Sequence, residues 1–292
     1  MPEIIKSLKQ ISSNYSFLFC DVWGCVHNGV SAFDIAISAL NKFKADGGLV
    51  VLLTNAPRPA DAVARQLNRL GVDPNCYDFI VTAGDAALKF VTSSNFGEKI
   101  YHLGPGKDRS FFKTLFSFTG NIHFELSSFD EADLIICTGL FDDSTETPSD
   151  YEEFFAQAYK KNLPMICTNP DLYVDFGNKR VFCAGALAST YQDYGGQVYW
   201  FGKPYSSIYE YTERFLIEQK LQVPKSKILC IGDGLRTDIK GANNQGFDSL
   251  FITHGLEKKH LIGKEEKLDV IKLNEFLKKK VEKPRFVIDY LK

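Results

Sequence analysis

Apolar runs of strand length alternate with segments of helical period along nearly the whole chain, and several of those runs stop abruptly at a polar residue. "YSFLFC" precedes the helical segment "AFDIAISALNKFKADG"; "GLVVLLT" precedes "ADAVARQLNRLG". Gly47, Gly48 and Gly71 stand where each helix should close, because glycine tolerates the left-handed turn that ends a helix. Strands that are apolar at every position must be covered on both faces, and a βαβα rhythm supplies the helices to cover them. A parallel sheet between helical layers follows. The rhythm returns late in the chain in "QVYWFG", "SSIYEYTERFLIEQKL", "KILCIG", "IKGANNQG" and "SLFITHG". Between the two stretches lie separate βα units, "EKIYHLG", "RSFFKTLFSF", "ADLIICTG", "DYEEFFAQAYKKN" and "LPMICT", with the acidic turn-rich loop "LFDDSTETPSD" among them. This reads as a second α/β module inserted into the first.

Several function classes are excluded early. A chain of 292 residues has room for about two domains, and a net charge of -2 leaves no electrostatic footprint for nucleic acid. No apolar run approaches the ~20 residues of a membrane span. The N-terminal "MPEIIKSLKQISSNY" is too interrupted by charge for a signal peptide and reads as a short amphipathic helix. Seven cysteines, odd in number and without a CxxC spacing, argue against a disulfide framework and a zinc site. They suit a reducing cytoplasm. The lysine-rich "KLNEFLKKKVEK" is a solvated helix face, and no internal repeat stands out.

In open α/β sheets, ligands gather at the carboxyl ends of the strands, so the residues that terminate the apolar runs are the candidates. Asp21 ends the first run, and Thr54 and Asn55 end the second. Lys203 follows "WFG"; Asp233 follows "KILCIG", with Asp238 five residues on. Any one of these alone is ordinary turn chemistry. Together they predict two carboxylates, a hydroxyl and an ammonium converging on one rim. Carboxylates without soft partners suit Mg²⁺, and an aspartate beside Mg²⁺ and lysine is a nucleophile for phosphoryl transfer.

These motifs resemble the haloacid dehalogenase-like hydrolase superfamily, in particular its class IIA branch of sugar-phosphate, 4-nitrophenyl phosphate and pyridoxal phosphate phosphatases. "FCDVWGCVHNG" resembles the family's first motif, DxDG followed by an apolar pair. "LLTNAPRP" is similar to the second, "FGKP" to the third, and "IGDGLRTDIKGANNQG" to the fourth, GDxxxxD. "CTNPD" resembles part of the class IIA cap. The resemblance implies a Rossmann-like core over residues 1–82 and 183–292 and an inserted α/β cap over 83–182. It implies Asp21 as nucleophile and Mg²⁺ ligand, Asp233 as second ligand, Asp238 as support, and the Trp23 backbone carbonyl as a further ligand. Thr54 and Lys203 would hold the phosphate of a small metabolite, helped by the Asn55 backbone. Arg58 resembles a substrate-contacting arginine of the pyridoxal phosphatase branch. Capped relatives often pair, which admits a homodimer.

One position departs from the pattern. Trp23 stands where the family's phosphatases carry a second aspartate, the general acid and base, and an indole N–H does not titrate usefully. Metal-free haloalkanoate dehalogenases of the superfamily carry a tyrosine there, so carbon–halogen hydrolysis is an alternative, against which Asp233 and Asp238 speak. A non-catalytic phosphate-ligand sensor is another. His27, in the same loop, is the candidate for supplying the missing proton, and Tyr173 for reaching the substrate from the cap. "GDGLRT" lacks the last glycine of a dinucleotide fingerprint, "HLGPGKDRS" reads as a tight turn, and no GxSxG is present.

Overall fold

The computed structural model describes residues 1–118, 123–176, 179–222, 224–263 and 267–292. Two compact units emerge from the packing. One comprises Met1–Thr54, Ala64–Val81 and Tyr209–Lys292, the other Asn55–Val63 and Thr82–Ile208.

The first unit is built on a seven-stranded sheet, in the order Glu3–Ile4, Phe286–Ile288, Asp248–Ile252, Ile228–Gly232, Phe17–Cys20, Leu49–Thr54 and Phe79–Thr82. The pairs from Glu3–Ile4 across to Leu49–Thr54 are all parallel. Phe17–Cys20 and Ile228–Gly232 are buried at every residue, as strands with both faces covered must be. The helices Asp34–Ala45 and Ser206–Glu218 fall within the segments whose period predicted them. Gly71 takes φ +85° after the helix Ala60–Arg69, closing it as expected.

The second unit has its own sheet of five parallel strands, in the order Val198–Trp200, Met165–Cys167, Leu134–Cys137, Lys99–Leu103 and Glu125–Leu126. Its core joins Ile135, Cys137, Met165 and Cys167 of the strands to Phe155, Ala184, Leu187 and Tyr191 of the helices. Tyr191 is fully buried, and its hydroxyl donates to the Leu163 carbonyl at 2.7 Å, which offsets the cost of taking a polar group out of water.

Two readings are corrected. The N-terminus does not form a helix: Glu3–Ile4 adds to the sheet edge against Phe286–Ile288, and two short 3₁₀ turns follow, Leu8–Gln10 and Ser12–Asn14. Ile5, Leu8 and Ile11 are the buried positions there, a spacing of three that an isolated reading cannot tell from a helical stripe. The run "QVYWFG" pairs with Met165–Cys167 in the five-stranded sheet, and the helix Ala184–Asp193 packs into that sheet's core. By packing, the second unit comprises Asn55–Val63 and Thr82–Ile208.

The second unit also uses one device twice. Two of its helices open Ala-Gly, at Ala83-Gly84 and at Ala184-Gly185, and each glycine packs against the backbone of a proline, Pro57 of "TNAP" and Pro170 of "TNPD". A Cβ on Gly84 would meet the Pro57 carbonyl at 2.5 Å, and one on Gly185 the Pro170 carbonyl at 2.3 Å. Backbone cannot yield there as a side chain can. Gly84→Ala and Gly185→Ala are each expected to destabilise the fold by about 1–3 kcal/mol. Gly106→Ala, where nothing lies within 4 Å, should stay within about 0.5 kcal/mol of wild type. Urea midpoints for the three variants check this.

Candidate active site

The first unit positions Asp21, Trp23, Thr54, Asp233 and Asp238; the second carries Asn55, Arg58 and Lys203. Asp21 directly follows Phe17–Cys20, and its backbone N–H continues the ladder to the Ile231 carbonyl at 2.8 Å. Thr54 is the last residue of its strand, and Asp233 immediately follows Ile228–Gly232. Asp21, Thr54, Asn55, Lys203, Asp233 and Asp238 are all buried. Polar groups at such depth need partners or a ligand.

Asp21, Cys25 and Asp233 offer ligand atoms that lie within 4.8 Å of one another. The Asp233 carboxylate accepts from the Leu256 backbone N–H at 2.8 Å. It sits between two glycines: a Cβ on Gly24 or on Gly255 would each come to 2.0 Å from its Oδ2. Gly24 also holds φ +82°, which turns the chain back after Trp23 and lets its N–H donate to the His27 carbonyl at 2.8 Å. Asp238 lies outside the triple of donors. Its Oδ2 accepts from the Gly234 N–H at 3.0 Å, and a Cβ on Gly232 would meet its side chain.

The donor set fits a hard divalent cation. Two carboxylates supply anionic oxygen, which is what Mg²⁺ selects. Burial, reinforced by the Asp233 and Asp21 carboxylates, pushes the Cys25 thiol well above its ordinary range. Cys25 was missed in the sequence because it counts there as half of an apolar pair. Its signal was position, four residues after Asp21.

The Trp23 ring is half-buried and packs edge-on against His27, with ring centroids 5.0 Å apart at 72°. His27 is itself buried, and its Nδ1 accepts from the Gly29 N–H at 2.9 Å, so the neutral ring carries its proton on Nε2.

In the second unit, Arg58 Nε lies 3.6 Å from Asp108 Oδ1. Burial pushes the Asp108 carboxyl up to about 6 and outweighs the attraction of Arg58 and Lys107. Asp108 belongs to "HLGPGKDRS", whose Gly106–Asp108 segment forms a 3₁₀ turn, as the tight-turn reading expects. Tyr173 opens the hairpin Tyr173–Phe176 with Lys179–Phe182, where the Arg180 guanidinium lies 4.2 Å from its ring centroid.

Two family models match the chain, a haloacid dehalogenase-like hydrolase over residues 18–115 and an HAD-hydrolase-like one over 200–292. The structure of a haloacid dehalogenase-like hydrolase from Brucella suis is 36% identical over 99% of this chain and 100% of its own, with a TM-score of 0.84. The chain belongs to the haloacid dehalogenase-like family. Within that family the same fold occurs in a possible sugar phosphatase from Cytophaga hutchinsonii, 20% identical, with a TM-score of 0.77 over 99% and 98% of the two chains. It occurs again in a 4-nitrophenylphosphatase from Thermotoga maritima, 21% identical, with a TM-score of 0.69 over 95% of each chain. No curated protein matches. Among the described residues no helix is long and apolar enough to cross a membrane.

Gly255 tests the carboxylate cluster without replacing any of its donors. Gly255→Ala should push the Asp233 carboxylate aside. Whatever rise in melting temperature a divalent cation gives the wild-type protein should then shrink or vanish, as measured by a thermal shift titration of the metal.

Proposed function

We propose that this hydrolase is a Mg²⁺-dependent phosphatase of a small phosphorylated metabolite, built as a catalytic core with an inserted cap and working in the cytoplasm. The observation that carries the reading is the buried pair Asp21 and Asp233, within 4.8 Å of each other at the donor atoms and flanked by glycines where any side chain would intrude. Two carboxylates so close repel each other unless a cation or a proton stands between them. The names of two solved structures of the same fold, a possible sugar phosphatase and a 4-nitrophenylphosphatase, support the same substrate class.

Mg²⁺ held by Asp21, Asp233 and the Trp23 carbonyl would neutralise the carboxylates and the charge that builds on the phosphoryl oxygens. Asp21 is the nucleophile: its carboxylate oxygen forms a bond to phosphorus as the ester P–O bond breaks, leaving an aspartyl-phosphate and the leaving group as its oxyanion, which takes a proton from water. Water then attacks the phosphorus, the aspartyl O–P bond breaks to restore the Asp21 carboxylate, and inorganic phosphate leaves with the water's second proton given to solvent. Thr54 donates to a phosphoryl oxygen, Lys203 supplies positive charge, and Arg58 contacts the rest of the substrate. Asp238 braces the loop that carries Asp233 through its bond to Gly234.

At position 23 this chain has no carboxyl group to give the leaving group its proton. Trp23 cannot give one, so leaving groups that need no proton should react best. 4-Nitrophenyl phosphate and acyl phosphates are expected to turn over faster than alkyl phosphates, and Asp21→Asn should abolish all hydrolysis. Trp23→Asp should raise alkyl phosphate turnover by up to ~10²–10⁴, whereas Trp23→Ala should not. Phosphate release with and without Mg²⁺ is the measurement. Turnover in Asp21→Asn would sink the reading. Inert variants that phosphate still stabilises would make the protein a phosphate-ligand sensor, and halide release from haloalkanoates in EDTA would make it a dehalogenase.

A further inference from the structure

We infer that the side chain of Asn55 is a positioning residue that fixes the backbone of Lys203, and that Asp171 holds Asn55 in place to do so. The Lys203 N–H donates to Asn55 Oδ1 at 2.7 Å, and Asn55 Nδ2 donates back to the Lys203 carbonyl at 3.1 Å. The same Nδ2 donates to Asp171 Oδ1 at 2.9 Å. A primary amide has one acceptor oxygen and two donor hydrogens, so these three bonds engage both ends of the group. They also settle its orientation, because only the oxygen can face a backbone N–H. Asn55 thus pairs with both polar groups of one residue, much as a neighbouring strand would.

Two features show that the contact is built in. Gly202 holds φ +111°, and a Cβ there would lie 2.6 Å from Asn55 Oδ1, so the close approach depends on glycine at this position. Asp171 is itself anchored, its N–H donating to Asn169 Oδ1 at 3.0 Å. Both Asn55 and Lys203 are buried, so water does not compete for these bonds. A lysine is a long flexible stem carrying a point charge, and fixing its Cα narrows the volume its ammonium can sample. The asparagine after Thr54, 148 residues earlier in the chain, and the aspartate of "TNPD" then act on one lysine. The inference rests on the reading that Lys203 neutralises the phosphate.

The test is a double-mutant cycle on the full-length protein with Mg²⁺. Calorimetry with inorganic phosphate and kcat/KM for 4-nitrophenyl phosphate are the two readouts. Asn55→Ala should weaken phosphate binding by about tenfold in the wild-type background, the worth of one or two buried hydrogen bonds, and by almost nothing in Lys203→Ala. Asp171→Ala should behave in the same way, and Asp171→Asn, which keeps an oxygen for Asn55 to bond, should recover most of the affinity. Should Asn55→Ala fail to fold, the Asp171 cycle decides alone. Equal losses in the two backgrounds would overturn the clamp and leave Asn55 a merely structural residue. If Lys203→Ala by itself leaves phosphate binding and turnover intact, the assignment of Lys203 to the phosphate fails and the clamp goes with it.

Discussion

Setting two carboxylates side by side in a protein interior is costly, and the first unit holds Asp233 in place to do so. Asp21 and Asp233 come from the adjacent parallel strands Phe17–Cys20 and Ile228–Gly232, so the sheet itself brings them together. Glycine stands wherever a side chain would push Asp233 aside, at Gly24 and at Gly255, and the Leu256 N–H holds its carboxylate in one pose. Two carboxylates held so near each other present their oxygens together, which is the donor type that a hard cation selects.

Much of this was legible in the sequence. The rhythm of apolar runs located the strands, and their polar ends named Asp21, Thr54 and Asp233 before any coordinates. That worked because a strand buried on both faces leaves no other reading for a run such as "FLFC" or "VVLLT". What stayed hidden depends on pairing, which sequence order does not reveal. "QVYWFG" has the composition of a strand of either sheet, and only its register with Met165–Cys167 decides. The amide of Asn55 could be read as a turn residue; that it reaches Lys203 depends on where Gly202 lets two chain segments meet.

Trp23 takes a different meaning in the structure from the one its position suggests. The ring is packed edge-on against His27, and the two residues are also bridged through their backbones. With Nδ1 tied to the Gly29 N–H, His27 keeps a fixed orientation, and the indole rests on a rigid surface. The aromatic pair therefore occupies the loop as a unit. A substitution at either residue disturbs the other, so Trp23→Ala also measures the loss of that packing.

The seven thiols, all buried and none in a disulfide, give the molecule a built-in record of its own breathing. Cys20, Cys25, Cys76 and Cys230 belong to the first unit, and Cys137, Cys167 and Cys183 to the second. Burial pushes the Cys76 thiol up to about 11 and the Cys137 thiol up to about 12, so neither is appreciably ionised near neutral pH while its unit stays closed. A thiol reagent must wait for local opening before it reacts. The rate at which each cysteine is labelled then reports the opening free energy of the unit that shelters it. Sulfur placed as a small hydrophobe becomes, without any engineering, a set of clocks that time the two units separately.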